Sequence, residues 1–494
     1  MPSAPISFAN QQATGQEALA GAPGVALNVM VDQAGAIRCR PGISAAPGVF
    51  SGVIDSTGIS GLRSTIGGAL YAIGNQASYR QIYKVGATAA MAISSGTGPS
   101  TLAGSGRPVF AETQLILAIA GGDAMQKIVL STDQSSRILD DPPLATHVAA
   151  SASRLLGNIA DIVATNTFDK SVVRFSDVAN GNSSFAGLER WAEGITGAGH
   201  FSAEADPDPV LAIAENTNEV FCFGTTSLQV FDPDGTVTAG IPVGWSPAVA
   251  RELGCSAPYS VVKVNQQFAW LDDLRRIVMS DGRSDSIVSD PVHRTFDDMS
   301  LVSDCFGYRV LDGPLDALVW TFPTDGRTFA FQKGSGWSQW ASWNGQTNNI
   351  GQLAVLSCHL APLSHDNLVG TSDGRIGRYD LDATTDFGSP INCRVETGYV
   401  NRGTDERKFC RCVRVALRRG ATGNGQIARL SYRDEPGPYG TPLTIELGEL
   451  GDTEIVVELR SLGIYRRRQW KFEFSGTDAL ALVGVTEDFD ILST

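Results

Sequence analysis

"DALVWTFPTDGRTFAFQKG", residues 316–334, decides the fold. An apolar run through Val319 and Trp320 reads as one strand, Pro323-Thr324-Asp325-Gly326 supplies a turn, and Thr328 to Phe331 resumes as a second strand. Asp and Gly both tolerate positive φ, so an Asp-Gly step closes such a hairpin. The same theme recurs in "GALYAIGNQASYRQIYKVG" (68–86), "ETQLILAIAGGDAMQKIVLS" (112–131) and "NIADIVATNTFDKSVVRFSD" (158–177). It returns in "NEVFCFGTTSLQVFDPDG" (218–235), "QQFAWLDDLRRIVMSDGR" (266–283) and "DNLVGTSDGRIGRYDLD" (366–382). Their starts fall roughly 40 to 65 residues apart, near the size of a propeller blade. Turns in the later repeats come from Asp234-Gly235, Asp281-Gly282, Asp312-Gly313, Asp325-Gly326 and Asp373-Gly374. A single hairpin buries too little surface to stand alone, and radial stacking both buries it and protects its edges. The spacing therefore predicts a β-propeller of six or seven irregular blades, with a solenoid or a string of sandwiches as the alternative.

Composition agrees. Of 494 residues 54 are Gly and 23 Pro, and no long stretch shows helical periodicity, so the chain reads as nearly all β. Ahead of the repeats, "LNVMVDQAGAIRCRPG" (27–42) reads as strand, turn, strand. Asn28 to Val31 is extended in character, residues 32–35 turn, and Ile37 and Cys39 oppose Arg38 and Arg40 across the second strand. Pro41-Gly42 then predicts a sharp turn, with Gly42 at positive φ. After residue 385 four alternating strands appear. Their shared faces are Ala428, Leu430 and Tyr432; Leu443, Ile445 and Leu447; Ile455, Val457 and Leu459; and Trp470, Phe472 and Phe474. This is the pattern of a half-buried antiparallel sheet, and a β-sandwich fits it. The expected units are an N-terminal arm and strand pair (1–48), a propeller (49–385) and a sandwich (386–494).

Charge is unevenly placed. The net charge is −14, yet residues 393–494 hold 15 basic and 15 acidic residues, so all of the acidity lies before them. An acidic body disfavours tight binding to phosphate backbones, which needs clustered cations. The N-terminus lacks the basic start and apolar core of a secretory signal, and no stretch of about 18 apolar residues follows. The eight cysteines show no Cys-x-x-Cys pair, so free and mostly buried thiols are expected, without metal or cofactor.

Catalytic signatures are missing. There is no Gly-x-Ser-x-Gly, no His-Glu-x-x-His and no Gly-x-x-x-x-Gly-Lys, and the glycine-rich "GTGPSTLAGSGRP" (96–108) lacks the lysine that would reach a phosphate. Carboxylate pairs are the surviving candidates for glycoside chemistry: Asp140-Asp141, Asp272-Asp273 and Asp297-Asp298. "SDGRIGRYD" and "TDGRTFAF" also resemble the Asp-box turns of sialidase propellers. Against this stands the plainer reading of these acids as turn formers. Arg466, Arg467 and Arg468 beside Trp470, with Arg418 and Arg419, have the ingredients of a nucleic-acid surface, but their domain is neutral. Contacts between subunits or to an adaptor are preferred for them, and for Arg38 and Arg40. Trp337, Trp340 and Trp343 are further candidates for such contacts, set against packing in a blade core.

Several of these stretches resemble the tail hub, or packaged-DNA stabilisation, proteins of short-tailed phages. The matching features are Pro41-Gly42-Ile43, the "FGTTSLQVF" segment from Phe223 to Phe231, Gly254-Cys255, the strand and turn from Ile277 to Gly282, Arg460-Ser461-Leu462-Gly463 and Arg466 to Arg468. The resemblance implies a non-enzymatic virion protein assembled in the host cytoplasm. Its expected form is a ring, a hexamer, in the tail below the portal and head–tail adaptor, next to fibre, spike or needle proteins and without a membrane anchor. Such a ring continues the DNA channel, past which DNA slides without sequence-specific binding, and retains packaged DNA until ejection. The alternative is a tail-associated propeller that binds or degrades glycan.

Overall fold

The computed structural model describes residues 3–6, 8, 26–75, 79–93, 101–102, 106–160, 169–179, 184–192, 197–217, 219–233, 237–238, 241–242, 244–343, 350–420, 426–449 and 451–492. In the deciding stretch, Leu315–Phe322 and Arg327–Gln332 pair antiparallel as the second and third strands of a four-stranded sheet. Phe306–Asp312 lies inside them and Gly336–Trp340 outside. Strand alternation splits the side chains between two neighbours: Leu318, Trp320 and Phe322 enter one apolar cluster, Ala317 and Val319 the next.

Among the described residues a blade of this kind occurs seven times. The innermost strands are Ile59–Ser64, Val109–Glu112, Val148–Ser151, Val210–Asn216, Val262–Val264, Phe306–Asp312 and Val355–Leu360, opening blades 1 to 7. Seven apolar clusters fill the seven spaces between adjacent blades, including that between blades 7 and 1. The chain is all β with a β-propeller body, and six of the seven predicted strand–turn–strand stretches supply the second and third strands of one blade; 158–177 supplies only the third strand of blade 3, Val172–Phe175, because the second, Arg154–Asn158, lies ahead of it. The turn at Asp234-Gly235 lies outside the described residues.

Blade 7 takes only three strands from its own stretch of chain. Its fourth is Gly42–Ala45, which pairs antiparallel with Ile376–Asp380 and so closes the ring with the N-terminal segment. Gly42 is in a strand rather than at positive φ, which corrects the turn expected there. Glycine is required for a different reason: a Cβ would lie 2.3 Å from the Thr385 carbonyl oxygen and 2.8 Å from that of Ala383.

The C-terminal body is a two-sheet sandwich that recruits the rest of the N-terminal segment. One sheet holds Val29–Val31, Ile37–Cys39, Leu480–Leu492, Arg407–Arg419 and Glu454–Arg460, with Ser3–Pro5 added to Leu480–Leu492. The other runs from blade 6 through Ala26–Leu27 to Cys393–Glu396, Arg468–Ser475, Ile427–Asp434 and Leu443–Thr444. Asn28 is the crossing point between sheets. Its φ of 55° is left-handed rather than extended, correcting the expectation, and its amide donates to the Gln339 carbonyl at 2.7 Å. The described strands of the segment 1–48 are thus divided between the sandwich and blade 7. Between the sheets pack Val413, Val415, Leu430, Trp470, Phe472 and Val485.

Candidate functional site: the propeller axis and the sandwich surface

The place where a propeller offers a cleft is the axis, and here it is filled. Arg107, just ahead of the inner strand of blade 2, is held by Pro108 and points across the ring. Its guanidinium donates to the Leu356 carbonyl in blade 7 and lies 3.6 Å from the ring centroid of Phe306 in blade 6. Blades 2 and 6 stand opposite one another in a ring of seven, so this group sits on the axis. Burial lowers its pKa to about 10, with Tyr259 opposing that shift. Arg80 in blade 1 donates to the carbonyls of Gly106 and Gly121. Tyr259, ahead of blade 5, stacks on His147 at 5.0 Å, and His147 accepts or donates at 3.1 Å with Thr146. Burial pushes the His147 imidazole down to about 4, so it is neutral at pH 7. Sequence reasoning missed Arg107; the one signal was an arginine locked before Pro108 at the start of a strand.

The carboxylate pairs resolve into local structure: Asp140-Asp141 and Asp272-Asp273 lie in bends and turns, and Asp297-Asp298 ends the short helix His293–Asp297. Asp272 is fully buried and holds Arg276 at 2.7 Å and two backbone amides. Asp273 accepts from Gly254, Asp141 pairs with Arg174 and Asp297 with His293. In the Asp-Gly turns, Asp281 accepts from the amides of Arg283 and Ser284, and Asp325 from Ser300. A cavity of about 160 Å³ opens between blade 7 and the hairpin at 385–390. Its two acids are engaged, Asp373 with Arg375 at 2.5 Å and Asp386 with Arg40 at 2.6 Å. Among the described residues no group of His, Cys, Asp and Glu is arranged to hold a metal ion, and no helix is long and apolar enough to cross a membrane. All eight cysteines are free, and burial raises the thiol pKa of Cys222, Cys255, Cys305, Cys358, Cys393 and Cys410.

Five of the expected contact residues are enclosed within the protomer, which corrects their assignment as contacts. Arg40 is fully buried where blades 6 and 7 meet the sandwich. It binds Asp386 through two nitrogens, Asn28 Oδ1 at 3.1 Å and the Ala341 carbonyl at 3.2 Å. Burial alone would favour a neutral guanidine; Asp386 outweighs it and holds the charge. Arg468 is equally buried, paired with Asp434 at 2.6 Å and stacked near Tyr432 and Tyr465. Arg419 donates to the carbonyls of Asp452 and Glu449. Trp337 donates to the Val288 carbonyl at 2.7 Å and Trp340 to Ser338 at 3.0 Å, both in blade 6. The Trp343 side chain lies outside the described residues. Arg38 is half-buried against the Leu381 carbonyl, and Arg418 pairs with Asp32 at 2.6 Å. Arg466 and Arg467 are exposed, the first donating to the Asp405 carbonyl and the second paired with Glu435 at 3.0 Å.

The outer face of the sandwich is laced with ion pairs. Arg414 bridges Glu458 at 2.8 Å and Asp488 at 2.9 Å, Arg460 meets Glu458 at 2.7 Å, and Arg411 meets Asp490 at 2.9 Å. A cation held by a carboxylate is a poor ligand for phosphate, so this face is polar without being a basic patch.

Blade 4 shows what the "FGTTS" motif is for. Asp208, two residues ahead of the blade, accepts from the amides of Thr226 at 2.7 Å and Ser227 at 3.1 Å, and from the hydroxyls of Thr225, Thr226 and Ser227. Gly224 must lack a side chain, because a Cβ would lie 2.3 Å from Asp208 Oδ2. Blade 1 shares the close approach of an Asp to a glycine near the end of its second strand: a Cβ on Gly74 would lie 2.3 Å from Asp55 Oδ2, and Asp55 accepts from the amide and hydroxyl of Thr57 in its own loop.

No curated protein matches the sequence. Among solved structures, the extracellular domain of a one component system from B. thetaiotaomicron is similar over 83% of this chain and 47% of its own, at 9% identity and a TM-score of 0.43. The chain thus spans about half the length of that structure. YCF48 bound to D1 peptide is similar over 69% of this chain and 98% of its own, at 11% identity and a TM-score of 0.37. BamB from Moraxella catarrhalis is similar over 72% and 98%, at 9% identity and a TM-score of 0.33. A family model is more informative: residues 184–280, which contain all of blade 4 and the Asp208 loop, match the phage stabilisation family described as bacteriophage P22 Gp10, β-propeller, and the match supports a phage structural protein associated with the tail.

Proposed function

We propose that the protein is a non-enzymatic tail component that assembles as a ring of six below the portal and adaptor, continues the DNA channel and retains packaged DNA until ejection. The match of residues 184–280 to the phage stabilisation family carries this reading. Two features of the protomer fit it. Arg107 and its neighbours stopper the propeller axis, so DNA has its path between protomers rather than through one. Arg411, Arg414 and Arg460 on the outer face of the sandwich are held by carboxylates, which favours a surface past which DNA slides without being gripped.

A closed ring needs two different complementary patches on each protomer. Arg467, exposed and paired only peripherally with Glu435, is the leading contact to a neighbour or an adaptor, with Arg38, Arg418 and Arg466 near the same body. Native mass spectrometry of the full chain tests this. Rings that form in the wild type and weaken in Arg467→Ala support the contact; unchanged rings with reduced DNA retention in particles would reassign Arg467 to the channel.

A further inference from the structure

Among the described residues the strand Glu454–Arg460 is the outer edge of its sheet, bonded to Arg407–Arg419 on one side only. Its pairing phase follows from two flanking bonds, Ser461 amide to Arg411 carbonyl and Arg419 amide to Thr453 carbonyl. With Cys412 opposite Arg460 and Arg418 opposite Glu454, the residues bonded inward are 455, 457 and 459. The amides and carbonyls of Glu454, Val456, Glu458 and Arg460 therefore point away from the sheet, and no backbone bond reaches them among the described residues. Their side chains are on the solvent face, Val456 being 66% exposed. On the other face Ile455, Val457 and Leu459 are half-buried, the last two against the sandwich core.

An open edge of this length is a template for another strand. We infer that it pairs antiparallel with the same strand of a second copy of this chain, about a two-fold axis at Val457. Among the registers that match outward groups to outward groups, one puts Glu454 opposite the partner's Arg460 at both ends and Val456 opposite Glu458. Sliding by one pair either way sets Glu458 opposite itself or opposite Glu454, which repels. The favoured register also continues the apolar face, Ile455 meeting Leu459 and Val457 meeting Val457 across the axis. Charge and apolar complementarity thus select the same alignment. The contact is two-fold, so it joins free protomers or two rings and is separate from the head-to-tail contact of a ring.

Sedimentation of the full chain over a range of micromolar concentrations tests it. The wild type is expected to double, as protomers or as rings. Glu454→Lys weakens the doubling roughly tenfold by opposing two like charges, and the charge swap Glu454→Arg with Arg460→Glu restores it. Val456→Pro removes an outward amide while sparing the inward bonds, and abolishes doubling without moving the thermal midpoint. Val457→Cys gives an intermolecular disulfide at that position, located by mass spectrometry, even where the proline variant folds poorly. A wild type that never doubles, doubling that survives both Glu454→Lys and Val456→Pro, or a loss that the charge swap leaves unrestored overturns the inference; the last would assign the edge to a different strand.

Discussion

Blades 4 and 7 reach the same four-stranded architecture by opposite routes. Blade 4 is local, with every strand between Val210 and Arg251, and its turn is tied by Asp208, two residues ahead of its first strand. Blade 7 borrows Gly42–Ala45 from the other end of the chain, and the seam is held by Arg40, Asn28 and Asp386, all buried or half-buried. Both blades are packed by apolar clusters on either side, but the closing blade adds one enclosed ion pair at its seam where the local blade has only its own turns. The ring therefore has a defined weak point if that pair is broken.

The largest expected effect follows. Arg40→Ala leaves Asp386 and two backbone carbonyls without their donor and costs about 3–5 kcal/mol of stability, measured by denaturant unfolding; a loss under about 1 kcal/mol would remove the distinction between the blades. Next is acid sensitivity at the axis. The His147 pKa in the folded chain is about 4 against a usual 6.5, so the unfolded chain binds more protons between those values. Stability is fully present above about pH 6.5 and falls as the pH drops toward about 4, by about 3 kcal/mol from this group. Unfolding curves at stepped pH should show this slope, and His147→Gln should reduce it, leaving the part that comes from His359, whose imidazole burial also pushes down to about 4. In blade 4, Asp208→Ala strands the amides of Thr226 and Ser227 and costs roughly 1–3 kcal/mol; an effect exceeding that of Arg40→Ala would reverse the comparison. Smallest is Arg467→Ala, expected within about 0.5 kcal/mol of wild type in stability, with its consequence confined to assembly.

The same contrast explains what the sequence could reveal. The second and third strands of each blade are apolar on both faces because neighbours pack on either side, so 68–86 and 316–334 were legible as hairpins. Outer strands such as Asp285–Ile287 have three exposed residues and carry no such pattern. Of the thirteen-residue strand Arg407–Arg419 only pieces were legible, Cys410 to Cys412 and Arg418-Arg419, because a register shift between Cys410 and Cys412 breaks its alternation. The closure by Gly42–Ala45 depends on partners more than three hundred residues away, which no local spacing encodes. The arginines had the same problem. Arg40 and Arg468 were visible as cations, but whether they face solvent depends on Asp386 and Asp434, and both are enclosed.

Imaging of native particles by cryo-electron microscopy, with the chain tagged for identification, tests the central claim most directly. The expected result is six copies in a ring at one vertex of DNA-filled capsids, with DNA density on the axis of the ring and Arg107 closing the axis of each propeller. Recovery of the chain only as free protomers away from capsids, or DNA density running through a propeller axis, would contradict it.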